Sequence, residues 1–158
     1  MQDIARQCSE TCHIGELQGQ DVQYLMKVES PAPIAMTSAP GKRLPANCTA
    51  LGKALLCEHT LEELKALFNG KLVRLTEHSV VDIDVLYQQL LEVRRTGIAQ
   101  EKEENYEFVQ CIATPLYKNG KPVLALSISF PTFRYTEEKN EKLKKLLLDA
   151  KMSLELII

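Results

Sequence analysis

The chain has 158 residues, of which 45% are hydrophobic and 25% are charged, with 19 Lys and Arg against 21 Asp and Glu. This length and apolar content fit one domain that buries about 70% of the surface of its unfolded chain. The net charge of −2 and the scattered basic residues exclude the concentrated positive face that DNA backbone binding requires. No apolar run approaches the roughly 18 residues that span a bilayer, and no signal segment is evident, so we expect a cytoplasmic protein without membrane contact.

The five cysteines indicate reduced thiols. They are an odd number at irregular spacing, without a C-x-x-C pair, which argues against a disulfide framework and a zinc finger. Cys8, Cys12 and His13 are the one group that approaches the spacing of metal ligands. Neighbouring residues of a strand face opposite sides, however, which separates Cys12 from His13. We therefore expect no metal and no cofactor.

The first third of the chain predicts the end of a helix and then a β-hairpin. Residues 1 to 8 have a helical pattern without a cap before Ile4, so we expect the last turns of a longer helix. From Thr11 the apolar period changes to two, which predicts paired strands. Ile34 to Met36 can form a further short strand. The loop after it is predicted to be irregular because of Pro40, Gly41 and Pro45.

Capping residues predict four further helices. Their predicted starts are Asn47 or Thr49, Thr60 with Glu63 at capping-box spacing, Asp82, and Thr136. The first three are predicted to end near Cys57, Asn69 and Gly97. Between the third and the fourth helix, strands are predicted at about 98 to 103, 108 to 117 and 122 to 130. This order, with hairpin-type connections, predicts an α+β fold with an antiparallel sheet that carries helices.

The strand at 122 to 130 has two different faces. Leu124, Leu126, Ile128 and Phe130 point to one side, and Val123, Ala125, Ser127 and Ser129 point to the other. The first set is typical of a core. The second set leaves room above the sheet, and its two hydroxyl groups can donate to or accept from a small polar ligand.

The length of the following hairpin loop decides whether Cys111 joins the two serines. A two-residue Asn119-Gly120 turn pairs Lys118 with Lys121 and turns Cys111 away, and an Asn-Gly pair on its own favours this turn. A three-residue loop of Lys118, Asn119 and Gly120 pairs Cys111 with Ser127 on the serine face. We expect the longer loop, because a site that includes Cys111 requires it.

The helix that begins near Thr49 supplies the other half of a candidate site. The backbone N–H groups of Ala50, Leu51 and Gly52 are predicted to be unpaired at its positive end, which suits a carboxylate. Gly52 also lets a ligand or the sheet approach closely.

Several segments together resemble one family of bacterial regulators. They are GKRLPANCTALGKALL at 41 to 56, the T-C-H-I-G strand, YLMKVESP, the R-x-x-G segment at 94 to 97, the C-I-A-x-P strand and SISFP. Together they are similar to the C-terminal effector-binding domain of the IclR family of transcription regulators. The resemblance implies a GAF-like (profilin-like) sheet of about six strands, an effector that is a small organic acid, and assembly as a homodimer or tetramer. It further implies that residues 1–10 end an inter-domain linker helix, that 11–158 form the effector-binding domain, and that DNA is bound only through an N-terminal winged helix-turn-helix domain absent from this chain.

The resemblance also assigns ligand-binding residues. They are Ala50, Leu51, Glu101, Cys111, Ser127 and Ser129, with Ile34 and Met36 as an apolar wall. Three departures from the family pattern bear on the ligand: Glu101 stands where Asp is common, the hairpin loop is one residue shorter, and Phe130 replaces a Gly. Most of the acidic cluster from Glu101 to Glu107 is expected to be solvated, with one carboxylate able to turn inward and read a ligand hydroxyl.

The sequence therefore predicts a ligand-sensing domain of a transcription regulator that is not an enzyme. Two alternatives remain open: an oligomerisation module without a ligand, and an enzyme that uses Cys111 as a nucleophile. The second lacks a neighbouring base that the sequence can identify.

Overall fold

The computed structural model describes residues 1–32 and 38–158. The helices of this part of the chain are α1 (Gln2–Cys8), α2 (Ala50–Leu56), α3 (Leu61–Phe68), α4 (Ile83–Thr96) and α5 (Glu137–Leu154). The strands are β1 (Thr11–Gln18), β2 (Asp21–Val28), β3 (Arg43–Pro45), β4 (Ala99–Lys102), β5 (Val109–Lys118) and β6 (Lys121–Pro131). The strands form one sheet in the order β3-β2-β1-β6-β5-β4, and every neighbouring pair is antiparallel. The predicted α+β class and six-stranded sheet are confirmed.

Helices cover both faces of the sheet and form two apolar cores. On one face α2, α3 and α4 pack over Ala113 and Ala125 of the central hairpin. On the other face α1 and α5 pack over Leu126, Ile128 and Phe130, so the predicted division of β6 into two faces is confirmed. None of the helices in the described ranges is long and apolar enough to cross a membrane.

The helix starts follow the predicted capping residues. The Thr49 hydroxyl accepts from the Gly52 N–H at 2.9 Å, and Thr60 and Glu63 form the expected capping box. Asp82 accepts from the first turn of α4, and Thr136 accepts from the first turn of α5. These caps satisfy N–H groups that a helix leaves without backbone partners.

The segment that was predicted to be an irregular loop contains a strand instead. Arg43 to Pro45 pair with Gln23 to Asp21 at the edge of the sheet, and a 3-10 turn, Ala46–Cys48, leads into α2. Pro45 is compatible with an edge strand, which leaves one side of its backbone without a ladder partner. The predicted strand at Ile34 to Met36 lies outside the described residues.

The β5–β6 connection corrects the predicted loop length. Lys118 pairs with Lys121, and Asn119 and Gly120 have φ values of 52° and 75°, so the turn has two residues rather than three. Cys111 nevertheless shares a face with the serines. Tyr117 pairs with Pro122 and Leu116 with Leu124, which leaves Val123 as an extra residue in β6. This β-bulge shifts the register by one residue and places Cys111 opposite Ser129, not opposite Ser127 as predicted.

Gly52 allows α2 to pack directly on the 3-10 turn. A Cβ atom at this position would overlap the carbonyl group and Cα of Ala46. Both partners are backbone atoms, which cannot turn away as a flexible side chain can. Gly52 therefore permits a close approach, but the approaching group is the preceding turn rather than the predicted sheet or ligand.

We predict that Gly52→Ala destabilises the fold by about 2 kcal/mol or more, because the added methyl group overpacks a rigid contact. Helix propensity alone favours Ala over Gly by about 1 kcal/mol, so the two effects have opposite signs. Urea unfolding measures the difference, with Thr49→Ala as a comparison that loses only the cap, at a cost of about 1 kcal/mol. A neutral or stabilising Gly52→Ala would contradict this packing.

Candidate functional site

Two rows of side chains cross the face of the sheet that lies under α2. In the first row Glu101 of β4 is opposite Cys111 of β5, which is opposite Ser129 of β6 and then Thr11 of β1. The second row crosses the same four strands in the same order and consists of Ala99, Ala113, Ser127 and His13. Directly opposed residues of antiparallel strands share a face, so these rows form one polar floor.

The start of α2 lies over this floor and encloses a small cavity. Its lining residues are Tyr24, Thr49, Ala50, Leu51, Glu101, Asn105, Cys111, Ser127 and Ser129. Ser127 and Ser129 are only 2% and 5% exposed, so both hydroxyl groups are buried in the interior and are not surface groups. The cavity measures about 10 Å³, which is about the space that one water molecule needs.

Six of the nine predicted ligand-binding residues line this cavity: Ala50, Leu51, Glu101, Cys111, Ser127 and Ser129. Ile34 and Met36 lie outside the described residues. The prediction that Gly52 has an unpaired N–H is wrong, because this group donates to Thr49. Within the described part of the chain, the N–H groups of Ala50 and Leu51 have no acceptor, so the amides available to a carboxylate are these two.

Glu101 is a carboxylic acid buried against the cavity. Its side chain is 3% exposed, and its Oε2 atom accepts from the Glu104 N–H at 3.0 Å. Its Oε1 atom is buried without a donor among the described residues. Burial raises the pKa of Glu101 to about 7, because the charged form loses its hydration, while the Cys111 thiol, the Glu104 N–H and then Lys53 oppose this change. Glu101 therefore carries a proton in part of the population near neutral pH.

A buried ion pair fixes the segment that carries Glu101. Lys53 of α2 donates to Glu104 at 2.5 Å, and the two side chains are 1% and 7% exposed. The backbone N–H of Glu104 holds Glu101, and its carbonyl oxygen accepts from Ser79 at 2.7 Å. Two carboxylates of the acidic cluster thus turn inward rather than one. Breaking such a buried pair is costly because the remaining charge is unpaired, so the pair anchors this wall to α2.

Cys111 has the environment of a binding residue rather than a nucleophile. Its thiol donates to the Ser129 hydroxyl at 3.1 Å. Burial, and then the neighbouring Glu101 charge, raise the pKa of Cys111 well above its ordinary value. The thiolate is the reactive form of cysteine, so this environment suppresses nucleophilic attack at neutral pH.

Sequence reasoning missed four residues of this region. Tyr24, Thr49 and Asn105 line the cavity, and His13 stacks on Tyr24 with the two ring centres 4.8 Å apart. His13 also forms a hydrogen bond between its Nε2 atom and the Ser38 hydroxyl at 2.6 Å. Burial, helped by Lys27, lowers the pKa of His13 to about 4. The alternation of β1 and β2 could have placed Tyr24 and His13 on the serine face, whereas Asn105 lies in a loop that carries no such signal.

The fold and the site define an α+β sensor-like domain with an enclosed polar cavity between a sheet and a helix start. The family described as "Bacterial transcriptional regulator IclR C-terminal" matches residues 1–155. This chain belongs to that family.

Similar proteins are named as transcription regulators. The HTH-type transcriptional regulator KdgR of Escherichia coli is 34% identical over 152 residues, which are 95% of this chain and 58% of KdgR. The E. coli regulator XynR is 30% identical over 96% of this chain and 61% of its own length. The chain thus spans about three fifths of these relatives. The prediction that it is a regulator domain and not an enzyme agrees with them.

Solved structures show the same fold. The C-terminal domain of E. coli KdgR matches with a TM-score of 0.88 at 32% identity, over 99% of this chain and 92% of that one. The IclR protein of Thermotoga maritima matches with a TM-score of 0.90 at 31% identity, over 97% and 63%. The inducer-binding domain of a PobR double mutant from Acinetobacter, in complex with 3-hydroxybenzoic acid, matches with a TM-score of 0.86 at 26% identity, over 98% and 93%.

We predict that Glu101→Gln changes how stability depends on pH. The folded state raises the pKa of Glu101 from 4.5 to about 7, so it holds a proton that the unfolded chain releases. The wild-type protein therefore loses stability from this group as the pH rises from about 4.5 to about 7. Glutamine does not titrate, so the free energy of unfolding of the variant should rise relative to that of the wild type across this window, by about 3 kcal/mol above pH 7.

Urea unfolding from pH 4 to pH 8 measures this difference. Folding shifts the pKa of His13 in the opposite direction. Both proteins share this shift, so its effect on stability cancels in the comparison. Glu107→Gln, at an exposed position of the same segment, is the matched control. An equal difference at all pH values would show that folding does not shift the pKa of Glu101.

Proposed function

We propose that this chain is the ligand-sensing domain of a bacterial transcription regulator and that it binds a small organic acid, such as a 2-oxo acid or a sugar acid. One observation supports this proposal most strongly. The first turn of α2 encloses a buried cavity whose polar lining includes Glu101, Cys111, Ser127 and Ser129. These residues come from β4, β5, β6 and α2. A fold needs no such collection of polar groups in its interior, and burying them costs free energy unless they are paired.

The cavity offers complementary groups for a carboxylate and its neighbouring oxygens. The N–H groups of Ala50 and Leu51 point from a helix start, where an anion is favoured. The hydroxyl groups of Ser127 and Ser129 can donate or accept, and the protonated form of Glu101 can donate. The acid is therefore proposed to bind with its charged end at α2 and its remaining oxygens on the sheet.

The size of the cavity implies that binding moves its walls. This space admits about one water molecule, which is less than any organic acid needs. A ligand must therefore favour a more open arrangement of α2, of the segment at 38–48 or of the segment around Asn105. A ligand shifts a conformational equilibrium only by its difference in affinity between two states. An acid that fits only the open arrangement has such a difference in affinity.

The proposed sensor acts through parts of the protein beyond this domain. We infer that residues 1–10 end a linker helix, that 11–158 bind the effector, and that an N-terminal helix-turn-helix domain binds DNA. The net charge of −2 supports a division in which this domain does not hold DNA itself. We infer assembly as a homodimer or tetramer in the cytoplasm, where bacterial DNA is located. The complex of the PobR domain with 3-hydroxybenzoic acid supports an acidic effector.

The small cavity also favours a second candidate function, an oligomerisation module whose cavity no longer accepts a ligand. The two functions differ in one simple observation. A sensor is stabilised by its effector because the ligand binds only the folded state, whereas a module without a ligand is not.

We predict that at least one acid in a thermal-shift screen of organic acids stabilises the protein. At a concentration 100 times the Kd the gain is about 2.7 kcal/mol, or roughly 5 to 10 °C for a domain of this size. In calorimetry, Ser127→Ala combined with Ser129→Ala should lower the affinity for that acid by about tenfold to a hundredfold, because two hydrogen bonds to the acid are lost.

Ser153→Ala, at an exposed position of α5, is the control and should bind like the wild type. A complete absence of stabilising acids would favour the oligomerisation module. Unchanged affinity of the double variant would remove the two serines from the site.

A further inference from the structure

Two hydrogen-bond acceptors of the cavity wall have no partner in the described residues. They are Oε1 of Glu101 and Oδ1 of Asn105. Both side chains line the cavity, and they are 3% and 9% exposed. An unpaired buried polar atom costs about 1 to 3 kcal/mol, so this pair indicates a role beyond packing.

Among the described residues, no protein donor makes a hydrogen bond to either oxygen. The Cys111 thiol lies opposite Glu101 and helps to lower the pKa of its carboxyl group, but a thiol is a weak donor in general, and the hydrogen bond of Cys111 runs to Ser129. The backbone N–H of Glu104 serves the other oxygen of Glu101. The cavity of about 10 Å³ has room for about one water molecule as a donor. A ligand that occupies the site leaves no room for this water molecule, so the ligand itself must supply the donor.

We propose that the effector is a hydroxy acid rather than an oxo acid, with a hydroxyl group that donates to Glu101 and accepts from the side-chain amide of Asn105. This inference rests on the proposed function and specifies its ligand. The amide of Asn105 can present either its oxygen or its NH₂ group by a half-turn, so it can serve the hydroxyl oxygen. Glu101 offers only oxygen atoms, and an oxo group, which cannot donate, leaves it unpaired. Asn105 thereby becomes a proposed binding residue that the sequence did not indicate, while the discrimination between a hydroxyl and an oxo group rests on Glu101.

The preference for a hydroxy acid over an oxo acid should depend on the protonation of Glu101. A protonated Glu101 can donate to an oxo oxygen, whereas the ionised form accepts only. Around Glu101, Lys53 and Glu104 form an ion pair, and burial raises the pKa of Cys111 and of Tyr24. Because burial raises the pKa of Glu101 to about 7, the preference for the hydroxy acid is expected to widen as the pH rises from 6 to 8.

Matched pairs of acids with the same carbon skeleton test this inference. The probes are lactate and pyruvate, 2-hydroxybutyrate and 2-oxobutyrate, and 2-hydroxyglutarate and 2-oxoglutarate, with both enantiomers of each hydroxy acid. Calorimetry at pH 6 and pH 8 gives the ratio of the two affinities in each pair. This ratio cancels the repulsion between the carboxylate of the ligand and an ionised Glu101, which both members of a pair share.

In a pair that binds, the hydroxy acid should bind about tenfold tighter at pH 8, since one unpaired buried acceptor is worth about that factor. Glu101→Gln should reduce the ratio to near one at both pH values, because its amide group can donate to an oxo oxygen. Glu107→Gln should behave like the wild type. Circular dichroism and the unfolding midpoint show whether each variant is folded.

The outcomes separate the two proposals. If acids bind and the oxo member is equal or tighter at pH 8, the hydroxy-acid inference is overturned while the sensor function stands. If no acid in any pair binds, the result counts against the proposed function, and the inference fails with it.

Discussion

The register between β5 and β6 determines what lies beneath α2. Side chains of a strand alternate between the two faces, so a shift by one residue would move Ser127 and Ser129 into the apolar core and bring Leu126 and Ile128 to the cavity. The hairpin turn alone would place Cys111 on the wrong side. The extra residue at Val123 restores the pairing in which Cys111 lies opposite Ser129. The polar floor of the cavity therefore depends on one β-bulge about six residues away, and bulges commonly re-aim side chains near functional sites.

The packing of α2 on its own approach segment completes the enclosure. Gly52 lets the helix contact the backbone of Ala46, and the Thr49 hydroxyl accepts a hydrogen bond from the Gly52 N–H. This arrangement leaves two amides, those of Ala50 and Leu51, for a ligand. From the same helix Lys53 reaches across to Glu104 and anchors the wall that carries Glu101 and Asn105. One short helix thus connects the proposed anion end of the site to its proposed hydroxyl end.

Local signals in the sequence predicted a large part of this structure. Thr60 with Glu63, Asp82 and Thr136 marked helix starts because capping depends on residues within one turn. The alternation in β6 placed the serines on one face for a similarly local reason. The bulge at Val123 was not predictable, because an Asn-Gly turn is compatible with either register until the opposing strand is packed.

Other features depend on contacts between distant segments. The Lys53–Glu104 pair joins residues 51 positions apart, and no pattern in either segment reports it. The edge strand Arg43–Pro45 was missed because Pro40 and Gly41 before it and Pro45 at its end are typical of loops, although Pro45 is tolerated at an edge. The resemblance to the IclR family added Glu101, Ile34 and Met36 to the candidate residues that strand alternation and the helix start had already indicated. The structure added Asn105 and Tyr24, and it showed that the Gly52 N–H is already paired.

The most direct test of the central claim observes the backbone amides of α2 while an acid binds. In proton–nitrogen spectra of the labelled protein, titration with an acid from the screen should shift the Ala50 and Leu51 amide protons strongly downfield, as expected for new hydrogen bonds to a carboxylate. The Gly52 amide, which already donates to Thr49, should move little. If an acid binds while the Ala50 and Leu51 signals stay in place, its carboxylate does not lie at the start of α2, and this account of the site is wrong.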